Sequence, residues 1–143
     1  MMESLKEWVT AYREKWGCDF LGIAMNAAAE DAPKEIRWVQ VAGNRSEAYK
    51  NIRLQVGRGI AGMVWKTART QLDEHIFQQP DKLVEYPIAR TEKLQTALAV
   101  PVMHHSEVEA VLMSGYRTDH SFSSVERRQL ETAAAELSQR LRK

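Results

Sequence analysis

At 143 residues, 44% of them hydrophobic and 27% charged, the chain is sized for one domain that buries about two thirds of the surface its unfolded form exposes. Lysine plus arginine (20) nearly balances aspartate plus glutamate (19), so there is no concentrated basic surface to recruit nucleic acid. A lone cysteine, Cys18, excludes an internal disulfide, and apolar runs such as "ALAVPVM" are far too short to span a bilayer. With no signal-peptide pattern, the reading is a cytoplasmic protein without membrane or nucleic-acid partners.

In "ESLKEWVTAYREKWG" the residues Leu5, Trp8, Val9, Tyr12 and Trp16 recur at helical spacing and Gly17 follows as a stop, which predicts an amphipathic helix over 3–16. "CDFLGIAMNA" and "EIRWVQVAG" then read as a β-hairpin around the alanine-rich turn "AAAEDAPK", with Ile36, Trp38 and Gln40 on one face. "NRSEAYKNI" reads as a loop carrying a helical turn, and "RLQV" as a short extended piece. "QVGRGIAGMVWK" places three glycines within six positions at the mouth of a helix of two or three turns. Such freedom suits a tight strand-to-helix turn or a surface where bare amides meet an anion, two readings that are compatible. Gly62 costs about 1 kcal/mol relative to alanine inside a helix, which implies close packing or ligand approach.

Residues 70–94 are polar, contain Pro80 and Pro87, and read as a long irregular loop of the kind that carries function. "QTALAVPVMH" and "EVEAVLMSGYR" follow as nearly continuous apolar strands joined at "HHSE", so the sheet is expected to be covered on both faces. Ser123 and Glu126 stand at capping-box spacing, and Leu130, Ala134, Leu137 and Leu141 form one stripe, which predicts a final helix over 123–142. This order defines an α+β domain over 1–143 with a central antiparallel sheet. The terminal helices cover one face, and the crossover helix with the long loop closes the other, where a pocket is expected.

The ordered set "VGRGIAGMVWKTART", "LAVPVMHHSEVEAVLMSGY" and "SFSSVERRQLETAAAELSQRL" resembles the GAF domain family, a PAS-related fold, over nearly the entire chain. The resemblance implies the fold and leaves the ligand open, because GAF domains serve many small molecules and some are enzymes. The cyclic-nucleotide signature of the family is absent, and Cys18 lies away from the place where a bilin would attach. The pattern is most similar to the NreA-like nitrate receptors of bacterial oxygen and nitrate regulation. On that resemblance, the nitrate-binding residues are Trp38 of the second strand, Leu54 and Val56 before the glycine turn, Ile60 and Ala61 at the helix start, and Tyr86, Pro87 and Ile88 of the long loop. The resemblance further implies a sensor histidine kinase of a two-component system as partner, no resident cofactor and no enzymatic activity. For the terminal helices it leaves two alternatives, pairing in a homodimer or packing on the sheet alone.

Those residue types suit a planar, singly charged, weakly hydrated anion. Burying an unpaired ion costs several kcal/mol, so donors are needed, though not fixed cations. Amides in a helix's first turn lack intrahelical partners and sit at the positive end of its dipole, worth about 0.3 to 1 kcal/mol, or about 2 when partly buried. Ile60 and Ala61 would supply such amides after Gly57 and Gly59, where no Cβ blocks approach. The Trp38 indole N–H and the Tyr86 hydroxyl are neutral donors, and Leu54, Val56, Pro87 and Ile88 would exclude water. Arg58, between two glycines, is expected to face outward. Taken singly, each of these residues reads as structural; their joint occurrence carries the anion reading.

Other chemistry finds less support. His104 and His105, with Glu107 and Glu109, invite a metal reading, but adjacent strand residues point to opposite faces, so a solvated hairpin tip is the expectation. His75 and His120 lie in loops without partner spacing. A free methionine-R-sulfoxide reductase would share the fold and size yet needs several cysteines, and a GAF domain for another organic effector would need a larger pocket. In the nitrate reading, ligand orders the loop over 73–94 and shifts the population of a surface that a partner protein reads.

Overall fold

Ser4 and Glu7 exchange hydrogen bonds as a capping box, so the first helix, α1, runs Leu5–Trp16 in the computed structural model, which describes residues 4–142. The helix expected over 3–16 therefore begins two residues later, and residue 3 lies outside the described residues. Strands β1 (Phe20–Asn26) and β2 (Ile36–Ala42) form the expected hairpin. A short 3₁₀ turn at Ala48–Asn51 precedes α2 (Gly59–Thr67). Next come β3 (Gln71–Asp73), a second 3₁₀ turn, α3 (Pro80–Glu85) and α4 (Pro87–Glu92). The long hairpin of β4 (Thr96–His104) and β5 (Glu107–Tyr116) leads to α5 (Ser124–Arg140). Ser123 caps α5 through the predicted box with Glu126, which sets its start one residue inside the expected 123–142.

The five strands make one antiparallel sheet in the order β2-β1-β5-β4-β3. Each face carries its own apolar cluster. Trp8 and Val9 of α1 pack with Leu130, Ala133, Ala134 and Leu137 of α5 against one face. Ile60, Ala61 and Val64 of α2 and Ile88 and Ala89 of α4 cover the other. Burial on both faces explains the unbroken apolar reading of β4 and β5. The resulting α+β architecture, with terminal helices together on one side, is the predicted one.

Two expectations are corrected. The first concerns β2, whose register with β1 shifts between Ile23, paired with Gln40, and Ala24, paired with Trp38. This bulge leaves Val39 unpaired and exposed, so Val41 rather than Gln40 joins Ile36 and Trp38 on the α2 face. The second concerns 70–94, which is not a loop but a strand and two short helices. Pro80 and Pro87, read as breakers, instead stand at the first turn of α3 and α4, where a missing N–H costs nothing and the fixed φ favours helix. Strand β3 covers only Ala97–Ala99 of its neighbour, so among the described residues no strand lies on the outer edge of β4 from Val100 onward, including Pro101.

The hairpin tip also differs in detail. His105 and Ser106 both adopt positive φ, +50° and +66°, and form the tight turn itself. His105 is thus released from strand alternation, and its ring lies 3.9 Å from that of His104. No cluster of three metal-ligating side chains occurs among the described residues.

Candidate functional site

The glycines before α2 answer two different needs. Gly57 and Gly59 have φ of +92° and +67°, values that side chains rarely adopt, and so make the turn. Gly62 is a matter of space: a Cβ there would stand 2.6 Å from the Gln55 carbonyl oxygen. The turn folds back onto the helix, where the Gly57 amide donates to the Gly62 carbonyl at 2.8 Å. Close packing alone accounts for Gly62.

This turn sets α2 beside the sheet with an uncapped start. In α1 and α5 a serine side chain receives a first-turn amide, whereas Arg58, at the same position of α2, makes no side-chain cap and is exposed. First-turn amides, Ile60 and Ala61 among them, have no side-chain acceptor among the described residues. Ile60 and Ala61 are buried in the cluster that also holds Trp38, Leu54, Tyr86 and Ile88. Leu54 reaches it by pairing with Ile36 through two backbone bonds of 2.7 and 3.0 Å. Six of the eight predicted site residues thus come together, from three separate parts of the chain.

The other two stand apart. Pro87 is half-buried at the first turn of α4. Val56 is 41% exposed and does not wall the cluster. Strand alternation would have kept it on the side of Leu54, but the turn closed by Arg58 N–H to Gln55 O, at 3.0 Å, ends the extended run first.

Trp38 supplies the most informative atom. Its ring packs edge-on to Phe20, with centroids 6.2 Å apart, in space kept open by Gly22, where a Cβ would approach Trp38 Cε3 to 3.1 Å. Its indole nitrogen is buried and meets no acceptor among the described residues. A buried donor left unpaired costs about 1 to 3 kcal/mol, and native structures rarely tolerate one without a bound acceptor.

Tyr86 has a neighbour that residue spacing does not suggest. At the junction of α3 and α4 it is buried beside the Asp73 carboxylate. Burial first, and then the charge of Asp73, push the phenol well above its ordinary pKa. Asp73 is itself 5% exposed and forms an ion pair with Lys82 of α3. The sequence reading missed this pair, because nine residues separate partners that only the β3–α3 fold brings together.

It also missed a buried polar cluster at the end of α4. The fully buried Glu92 accepts from Arg117 Nη2 at 2.7 Å and from the Arg45 amide at 2.8 Å. His75 and His120, which lack local partner spacing, have carboxylate partners in the fold. His75 lies 3.2 Å from Asp119, and His120 lies 2.7 Å from Glu126.

An antiparallel sheet with paired terminal helices on one face and a capped apolar cluster on the other describes a small-molecule sensor fold. The GAF domain model matches residues 10–142, and the chain belongs to the GAF domain family. Among solved structures it is similar to a hypothetical protein, SA1058, from S. aureus, at 32% identity. That match covers 80% of this chain and 94% of the other, with a TM-score of 0.75. It is also similar to the NreA protein from Staphylococcus aureus, described as mutated in its nitrate binding site. There the identity is 31%, the coverage 83% and 89%, and the TM-score 0.76. The GAF domain of an Acinetobacter phosphoenolpyruvate-protein phosphotransferase, 21% identical with a TM-score of 0.74 over 94% and 77% of the chains, shares the fold. No curated protein sequence matches the chain. No helix among the described residues is long and apolar enough to cross a membrane.

Proposed function

We propose that this GAF domain is a receptor, without enzymatic activity, for nitrate or a related small monovalent anion. The anion lies between Trp38, the start of α2 and the α3–α4 junction. The observation that carries this reading is the buried Trp38 indole N–H with no acceptor, in the same cluster as an uncapped helix start. The indole and the amides of Ile60 and Ala61 donate to the anion, while Leu54, Pro87 and Ile88 exclude water. Val56 contributes no wall. A chamber with neutral donors admits a weakly hydrated ion and rejects sulfate, whose dehydration such donors do not offset. Similarity to a protein described by its nitrate binding site supports the same ligand.

Residues 80–92 form helices α3 and α4 rather than a loop, and binding tightens this region. The chain works in the cytoplasm, where the anion shifts the population of a surface that a sensor histidine kinase of a two-component system reads. Calorimetric titration with nitrate, nitrite, iodide, chloride and sulfate tests this reading. Heat is expected for nitrate and not for sulfate, and Trp38→Phe, which keeps the ring and removes the N–H, should abolish most of it. Absence of heat with every anion overturns the reading.

A further inference from the structure

A cavity of about 190 Å³ lies on the other face of the sheet, between the last turn of α1, the end of β5 and the first turns of α5. Its lining residues Trp16, Tyr116, Phe122 and Leu130 pack in the cluster of the terminal helices, whereas Trp38, Ile60 and Ala61 belong to the opposite cluster. The sheet therefore separates it from the anion site. Buried Ser114 and Leu130 form its inner end, and exposed Lys15 and Gln129 stand at its open end. An apolar cavity of about 150 Å³ accommodates benzene, so this one has room for a single ring with a short substituent.

The lining suits such a ring. Tyr116 and Phe122 meet edge to face with centroids 5.5 Å apart, and His120, outside the lining, stacks on Tyr116 at 3.7 Å. Trp16, the third aromatic of the lining, is held against Tyr12 with centroids 4.7 Å apart. Rings fixed in this way offer an aromatic ligand edge and face contacts at little entropic cost. Two charged groups line the cavity, and they are not equally free. Glu126 is engaged at both oxygens, Oε1 by the Ser123 amide at 2.8 Å and Oε2 by His120 Nε2 at 2.7 Å. Lys15 forms no ion pair among the described residues, and its ammonium lies over the Tyr12 ring, 5.6 Å from the centroid. The charge still available to a ligand is positive. We infer that this cavity is a binding site for a small aromatic carboxylate, with the ring among Trp16, Tyr116 and Phe122 and the carboxylate at Lys15 and Gln129.

Heteronuclear NMR of the full chain, titrated with sodium benzoate as the probe, tests this. Saturable shifts are expected at the Trp16 indole N–H and the Gln129 side-chain amide, with the Trp38 indole unmoved. Benzyl alcohol, which keeps the ring and lacks the charge, should bind at least about tenfold more weakly, and benzylamine more weakly still. Lys15→Met, a change at an exposed position that spares the packing of α1, should cost benzoate at least about tenfold as well. Trp38→Phe and an excess of nitrate should leave benzoate binding unchanged. The absence of a saturable shift with benzoate overturns the inference. So does benzoate affinity that Lys15→Met does not alter, or benzylamine binding as tightly as benzoate. Competition between benzoate and nitrate overturns it too, by moving the ligand to the opposite face. The inference does not depend on the nitrate reading, and the failure of either leaves the other standing.

Discussion

Arg117 grips Glu92 twice across the end of the sheet. Its Nε donates to the Glu92 carbonyl at 2.8 Å and its Nη2 to the Glu92 carboxylate at 2.7 Å, while Nη2 also reaches the Gly43 carbonyl at 2.9 Å. One guanidinium therefore joins the C-terminal end of α4 to the segments that follow β2 and β5.

Removing that guanidinium leaves a fully buried carboxylate without its counter-charge, a loss of about 3 to 5 kcal/mol. Arg117→Met is expected to lower the urea midpoint accordingly at neutral pH. Adding Glu92→Met should recover part of the loss, because the stranded charge is then gone. Simple addition of two losses would contradict this account.

Alanine normally stabilises a helix relative to glycine, so Gly62→Ala would be a favourable change in an isolated peptide. Here the new methyl would meet the Gln55 carbonyl at 2.6 Å and force the turn away from α2. A net loss of about 1 to 3 kcal/mol in thermal unfolding is expected. Nitrate affinity should fall with it, since the same turn places the first amides of α2.

Glu126 titrates below its ordinary value of 4.5. Burial opposes this, but the Ser123 backbone N–H and the His120 side chain outweigh it. A depressed folded-state value means that the stabilisation is complete above the ordinary carboxylate range and is lost as pH falls through the folded value. Glu126→Gln should therefore flatten the acid limb of the stability curve below about pH 4.5 and lower stability at pH 7. An unchanged acid limb would contradict the assignment.

Tyr116 behaves oppositely. Burial, followed by the nearby Cys18, Glu126 and Asp19, pushes its phenol up to about 12. The folded state then holds a proton that the unfolded chain releases near pH 10, so stability is full below about pH 10 and declines as pH rises toward 12. Phenolate absorbance in an alkaline titration should show two late-ionising tyrosines, Tyr86 and Tyr116, of which Tyr116→Phe removes one.

Most of the frame was legible from periodicity. The stripes of α1 and α5, the capping box at Ser123 and the continuous apolar strands β4 and β5 each have one local cause, and the fold keeps them. What was illegible depended on partners remote in sequence. Val39 bulges because of register with β1, the prolines of 70–94 start helices that the sheet supports, and Lys82 meets Asp73 only after α3 folds back. For the candidate site, six of the eight residues converge because they are apolar or lie next to apolar positions that must be buried. Val56 escapes because a turn interrupts alternation one residue too early for it. That Tyr86 lies beside the Asp73 carboxylate is likewise not encoded by residue type.

The brevity of β3 leaves the far half of β4 as an open sheet border, the sort of backbone that invites a foreign strand to zip on and seed aggregates. Pro101 sits in that stretch, and a residue with no N–H makes a poor template for such pairing. Replacing it with valine would extend the pairing-competent backbone, and the price would be paid in solubility at high concentration rather than in folding.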